Sequence, residues 1–186
     1  MRIRRHLKAD LSEHPDDPKR LEAAIALRRR EVALARARFA EAPEDHTARG
    51  ILARELNTLG DLLTLASALD EAEALLRETL THWGDLGRTR AHALTSLKLA
   101  TALRLQGRPD EALALLAEQL LRIDDNPNEL EVYTPFMTIE RGVALHQSGE
   151  HEAAQRDLQD ALRHFRGRNA TRQVQHIEQL LVFMGA

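Results

Sequence analysis

Three stretches of the chain set a small residue and an alanine twelve positions apart: Gly60 with Ala72, Ala100 with Ala112, and Gly142 with Ala154. Large residues recur in register around each pair. The first stretch runs Leu56, Leu59, Gly60, Leu63, Ala72, Leu76. The second is Ser96, Leu99, Ala100, Leu103, Ala112, Leu116, and the third Thr138, Arg141, Gly142, Leu145, Ala154, Leu158. Repetition of this kind means that one supersecondary unit is used three times. The spacing suits two helices joined by a turn, with the small residues marking where the helices approach most closely. The Leu pairs then fill the space between them.

The turns fit this reading. They are Ser67-Ala68-Leu69-Asp70, Gly107-Arg108-Pro109-Asp110 and Gly149-Glu150-His151-Glu152. Gly107 and Gly149 suit the left-handed position that ends a helix, and Pro109 suits the first residue of the next. Ser67, with Asp70 three residues on, reads as a helix N-cap. Composition agrees. Aromatic residues are only 3% of the chain, so the core must be built from Leu and Ala, the best helix formers, and the fold class is all-α.

The flanks supply closing elements, which a repeat array needs because an end hairpin leaves one face bare. Residues 18–44 read as an N-terminal capping helix with apolar Leu21, Ile25, Val32 and Phe39 on one face, stopped by Pro43. Asn169 is placed to cap a last helix over residues 169–186, where Val174, Ile177, Leu181 and Met184 form a stripe. Asn126-Pro127-Asn128-Glu129 reads as a helix start, and Pro135 is expected to kink the first helix of the third unit. Residues 1–17 read as a weakly ordered arm.

These residues resemble the tetratricopeptide repeat family over roughly residues 53–168, in units of about 53–86, 93–126 and 135–168. Gly60, Gly142, Ala72, Ala112 and Ala154 match the family pattern. Its aromatic positions are Leu here, and its second Ala is Thr79, Gln119 and Ala161. The units recur every 40 and then 42 residues rather than about 34, which is similar to the extended-repeat branch. The resemblance implies a right-handed superhelical solenoid of three hairpins that binds a protein or peptide in its concave groove. It puts the groove at Arg54, Asn57, Asp61 and Thr64; at Leu94, Leu97, Thr101 and Arg104; and at Phe136, Ile139, Val143 and His146. Such a face would run from polar to apolar, and exposed apolar residues there would signify a partner; the alternative is that the longer helices or the last helix fold over that end and bury it. The family's carboxylate clamp is not expected, because its places hold Asn57, Asp61, Lys98, Phe136 and Glu140, of which only Lys98 is cationic.

Signatures of chemistry are sparse. Cysteine is absent, which excludes thiolate sites and disulfides. No Walker loop, GxGxxG, GxSxG or HExxH occurs. The nine histidines lack metal-ligand spacing, and His146 and His151 straddle a turn instead of sharing a helix face. No catalytic residue, metal or cofactor is therefore nominated, and the expected role is a non-enzymatic adaptor or scaffold. A bacterial regulatory sensor that binds a signalling peptide or small ligand is the alternative.

Residues 1–42 carry eleven Lys and Arg against seven Asp and Glu, leaving fifteen against twenty-two for the rest. That excess is small and has no interleaved aromatics, so nucleic acid is not the expected partner. Arg28-Arg29-Arg30 reads as a solvated face offset in part by Glu22 and Glu31. The basic start lacks an apolar h-region and no run could span a bilayer, so a cytoplasmic location is expected. The preference for Arg over Lys suggests a bacterial gene. The C-terminal Leu180, Phe183 and Met184 are expected to make a dimer contact.

Overall fold

Among the described residues, Leu-rich stripes separated by short turns become the eight α-helices named below, and no strand occurs. The computed structural model describes residues 18–125 and 130–185. The expectations for the arm of residues 1–17 and for the helix start at Asn126 lie outside them. In order the helices are α1 (Pro18–Glu41), α2 (His46–Leu65), α3 (Leu69–Asp85), α4 (Thr89–Leu105), α5 (Pro109–Asp125), α6 (Thr134–Gln147), α7 (His151–Gly167) and α8 (Thr171–Phe183). A single 3₁₀ turn, Glu131–Tyr133, precedes α6. The described residues divide into two compact units, a first that ends at Gly87 with α1 to α3 and a second that starts at Arg88 with α4 to α8.

In the first unit α1 packs on α2, and α2 pairs with α3. Val32 and Ala35 of α1 join Leu52, Leu56, Leu59, Leu63 and Ala72 in one buried cluster, with Ile25 and Phe39 packed against it. Each Leu so buried contributes about 1.5–3 kcal/mol. The Gly60 pairing expected from the sequence is direct. A Cβ built on Gly60 would lie 2.8 Å from Leu76 Cγ and 3.5 Å from the Ala72 carbonyl. Charge finishes the job at the surface. Arg29 donates to Glu71 at 2.7 Å and Arg36 to Glu78 at 2.5 Å, so two arginines seven residues apart on α1 meet two glutamates seven apart on α3. Arg28 pairs inward with buried Glu55. The arginine run is thus offset by acids of α2 and α3.

The second unit repeats the theme. Pairs α4/α5 and α6/α7 form hairpins, α6 also meets α5 and α4, and α8 packs on α7. Burial along residues 51–80 recurs at 91–120 except at Leu52/His92, Asp61/Thr101, Ala66/Gln106 and Glu78/Glu118. Gly142 approaches its partner helix as Gly60 does, its Cβ position 3.1 Å from Leu158 Cγ and 3.2 Å from the Ala154 carbonyl. One pair of positions changes character. Where the first two hairpins carry Leu59 with Leu75 and Leu99 with Leu115, the third carries Arg141 and Asp157. These form a bidentate bridge at 2.6 and 2.8 Å, which raises the Arg141 pKa. Ile177 of α8 is fully buried among Ile139, Leu158, Leu162 and Phe165, with Val174, Leu180, Leu181 and Met184 alongside.

Three local expectations are corrected. Ser67 does not cap α3. It sits at φ +58° as the left-handed residue that ends α2, and the α3 N-cap is Ala68 without a side-chain bond. The backbone bonds of the turn, Ala68 N to Leu63 O at 2.9 Å and Ser67 N to Thr64 O at 3.1 Å, recur at Gly107 and Gly149; they close the carbonyl end of the helix. Asn169 likewise lies at φ +53° and ends α7, while Ala170 precedes α8. Pro135 does not kink a helix. It lies in the first turn of α6, where its missing N–H removes no helical bond. By contrast the side-chain cap of α2 is Asp45, which accepts from Thr47 N at 2.8 Å.

A left-handed serine costs energy that glycine avoids. Ser67→Gly is therefore expected to stabilise the first unit by about 0.5–1 kcal/mol net of the added freedom of the unfolded chain. A lower urea midpoint in the variant would count against this account of the turn.

Candidate functional site: a groove and a histidine pair

Helix α8 turns the expected groove of the second unit into a pocket. Leu97 and Thr101 of α4, Phe136, Ile139 and Glu140 of α6, and Arg172, Gln173 and His176 of α8 line a cavity of about 360 Å³. Ile139 is buried and belongs to the core beneath α8. Phe136 stays 38% exposed and rests edge-on against Phe165 with ring centres 5.3 Å apart. The pocket is thus walled on one side by α8, while Phe136 gives its mouth an aromatic face.

The polar groups are arranged unequally. Arg104 donates to Glu140 at 2.5 Å, and both side chains are mostly buried. Thr101 turns its hydroxyl to the Leu97 carbonyl at 3.1 Å. Glu140 is therefore neutralised within the wall. Arg172 has no carboxylate partner among the described residues, and both it and His176 are exposed. The mouth carries positive charge beside apolar Leu97 and Phe136.

The remaining expected groove positions fall as follows. In the second unit Leu94 is exposed, while Val143 and His146 are half-buried. In the first unit Arg54 and Asp61 are exposed, and Asn57 and Thr64 are half-buried. Arg54 lies 3.5 Å from Glu55, and Thr64 bonds the Gly60 carbonyl at 2.9 Å. Of the residues expected at a dimer contact, Leu180 and Met184 pack inward on the core of the second unit. Phe183 is 82% exposed, as is its neighbour Val182 at 77%.

Sequence reasoning missed Arg172, Gln173 and His176. Their signal was the α8 stripe itself, because Val174 and Ile177 facing inward put 172, 173 and 176 at its flank. It also missed that the third turn brings two histidines together: His146 Nδ1 and His151 Nδ1 are 3.1 Å apart. Burial lowers the pKa of two other imidazoles. Desolvation lowers the pKa of His82, which lies edge-on to Phe39 in the first unit, against the opposing pull of Glu78. Desolvation and Arg122 lower that of His92 in the second. No helix among the described residues is long and apolar enough to cross a membrane.

No protein-family model matches the chain, and a search of curated proteins finds no similar sequence.

Proposed function

We propose that the chain is a non-enzymatic binding module of the tetratricopeptide type, a right-handed array of helical hairpins that holds a peptide segment of a partner protein. The observation that carries this reading is the pocket at the α4–α6–α8 junction, apolar at Leu97, Phe136 and Ile139 and cationic at Arg172. A ligand site gathers convergent polar groups around an apolar floor, and this one does. Its volume of about 360 Å³ is near the lower end of ligand pockets, roughly 300–1,000 Å³. That size suits one or two anchoring side chains of a peptide whose remainder lies on the surface. Repetition of the hairpin supports the fold half of the reading, since successive units with matched burial are what an array requires.

The test is selection of peptides from a displayed random library by the purified chain. Enriched peptides are expected to pair an aliphatic or aromatic residue with an acidic one. Phe136→Asp should abolish their binding, and Phe183→Asp should leave it unchanged. Phe136 is the better probe than Ile139, whose replacement by Asp would disrupt the core. The reading fails if no sequence is enriched, or if Phe136→Asp binds the enriched peptides as well as the natural chain does.

A further inference from the structure

The turn between α6 and α7 is built rigidly. Gly149 takes φ +86°, and Gly149 N and Glu150 N bond the carbonyls of His146 and Leu145 at 3.1 and 2.9 Å. Ser148 donates to Asp110 of α5 at 2.8 Å, which ties the turn to a neighbouring helix. On this frame His146 stands in the last turn of α6 and His151 opens α7. The backbone thus holds the two imidazoles together across the hairpin.

From this arrangement we propose that His146 and His151 form a two-imidazole chelate for a divalent zinc- or copper-class ion, bound through both Nδ1 atoms. Two nitrogens 3.1 Å apart, each at about 2.0–2.1 Å from one ion, subtend roughly 100° at the metal. That lies between the tetragonal and tetrahedral angles these ions adopt. The ring placement fits a chelate better than a straight hydrogen bond. An ion on both lone-pair axes would hold the ring centres about 4.8 Å apart, whereas a straight N–H···N bond along the same axes would hold them about 5.4 Å apart. The centres are 4.7 Å apart. That separation matches the chelate, and in the metal-free chain the same contact serves as a bent N–H···N hydrogen bond.

The ligand set is small. No group of three or more His, Cys, Asp or Glu able to hold a metal occurs among the described residues. Among the described residues these two imidazoles are thus the whole ligand set, and water can fill the other coordination positions. Imidazole is the ligand that suits zinc and copper over magnesium or calcium.

Calorimetric titration of the full chain with Zn²⁺ alone, in a non-coordinating buffer at neutral pH, tests the proposal. His146→Gln and His151→Gln are each expected to weaken the tightest event by about tenfold or more, since losing even an outer-shell partner of a metal ligand costs that much. The double variant should be no weaker than either single one, because a chelate is lost whole. His46→Gln, an exposed site in the first unit, should change nothing. Smaller losses in the single variants, or losses that add in the double variant, mean independent surface histidines and overturn the proposal. So does a natural chain that binds Zn²⁺ no better than the double variant does. Circular dichroism of each variant separates lost binding from lost fold.

Discussion

Glu55→Met is expected to destabilise the first unit by about 3 kcal/mol, with most of the loss restored when Arg28 is also replaced by methionine. Glu55 is 2% exposed, yet it lies in a Leu-rich stripe of α2. The equivalent residues of the other hairpins are Thr95 and Met137, both buried without charge. What sets Glu55 apart is Arg28, which reaches it from α1. Removing one partner of a buried pair leaves the other charge stranded, at a cost of about 3–5 kcal/mol. Arg28 keeps 17% of its side chain exposed and gains some relief from water, which places the effect at the lower end. Its Nε is already buried without a partner, so no second acceptor waits for it. Replacing both residues by packed apolar ones is often neutral, and the double variant should fall within about 1 kcal/mol of the natural chain. The only tryptophan, Trp83, lies in α3 of the same unit. Its fluorescence during urea unfolding therefore reads the right unit. A single variant as stable as the natural chain would show that the ion pair contributes nothing across α1 and α2.

What could be read in advance follows from how local each signal is. Gly60, Ala72, Gly107 and Pro109 act through backbone stereochemistry or through missing side-chain volume, so residue type and spacing suffice to place them. Ser67 and Asn169 misled because their side chains suit an N-cap, a common use of such residues. The repeat held the better clue. Ser67 aligns with Gly107 at the 40-residue period, and Gly107 aligns with Gly149 at 42. Three residues in one left-handed slot outrank the side-chain chemistry of one. The ladder of Arg29 and Arg36 with Glu71 and Glu78 was half legible as matching seven-residue spacings. Which helices met could not be read, and nearer acids on α1 looked like the partners. The pocket wall from α8 and the His146–His151 contact depend on how a turn is closed and where the last helix docks. Such tertiary facts leave no period in a sequence.

Gly60→Val should cost the first unit about 3 kcal/mol, although glycine inside a helix is ordinarily a weakness worth about 1 kcal/mol to repair. The space at Gly60 is already taken. A Cβ there would lie 2.8 Å from Leu76 Cγ and 2.9 Å from Leu76 Cδ2, and Leu76 is itself fully buried. Relief requires α2 and α3 to separate along the contact that holds the hairpin, and overpacking of this kind costs about 1–3 kcal/mol, occasionally more. The branched side chain adds its own crowding in a helix. Gly84, in α3, is the control: nothing lies within 4 Å of its Cβ position, so Gly84→Ala should stabilise by about 0.5–1 kcal/mol. Leu76→Ala in the natural chain should cost about 2–5 kcal/mol. In the Gly60→Val background it should cost much less, because the cavity it opens accepts the new methyls. That non-additivity is the decisive reading, since neighbours that share one space must couple. Strictly additive losses at Gly60 and Leu76, followed by the same Trp83 signal, would mean that the close approach of α2 and α3 is not what the small residue is there to permit.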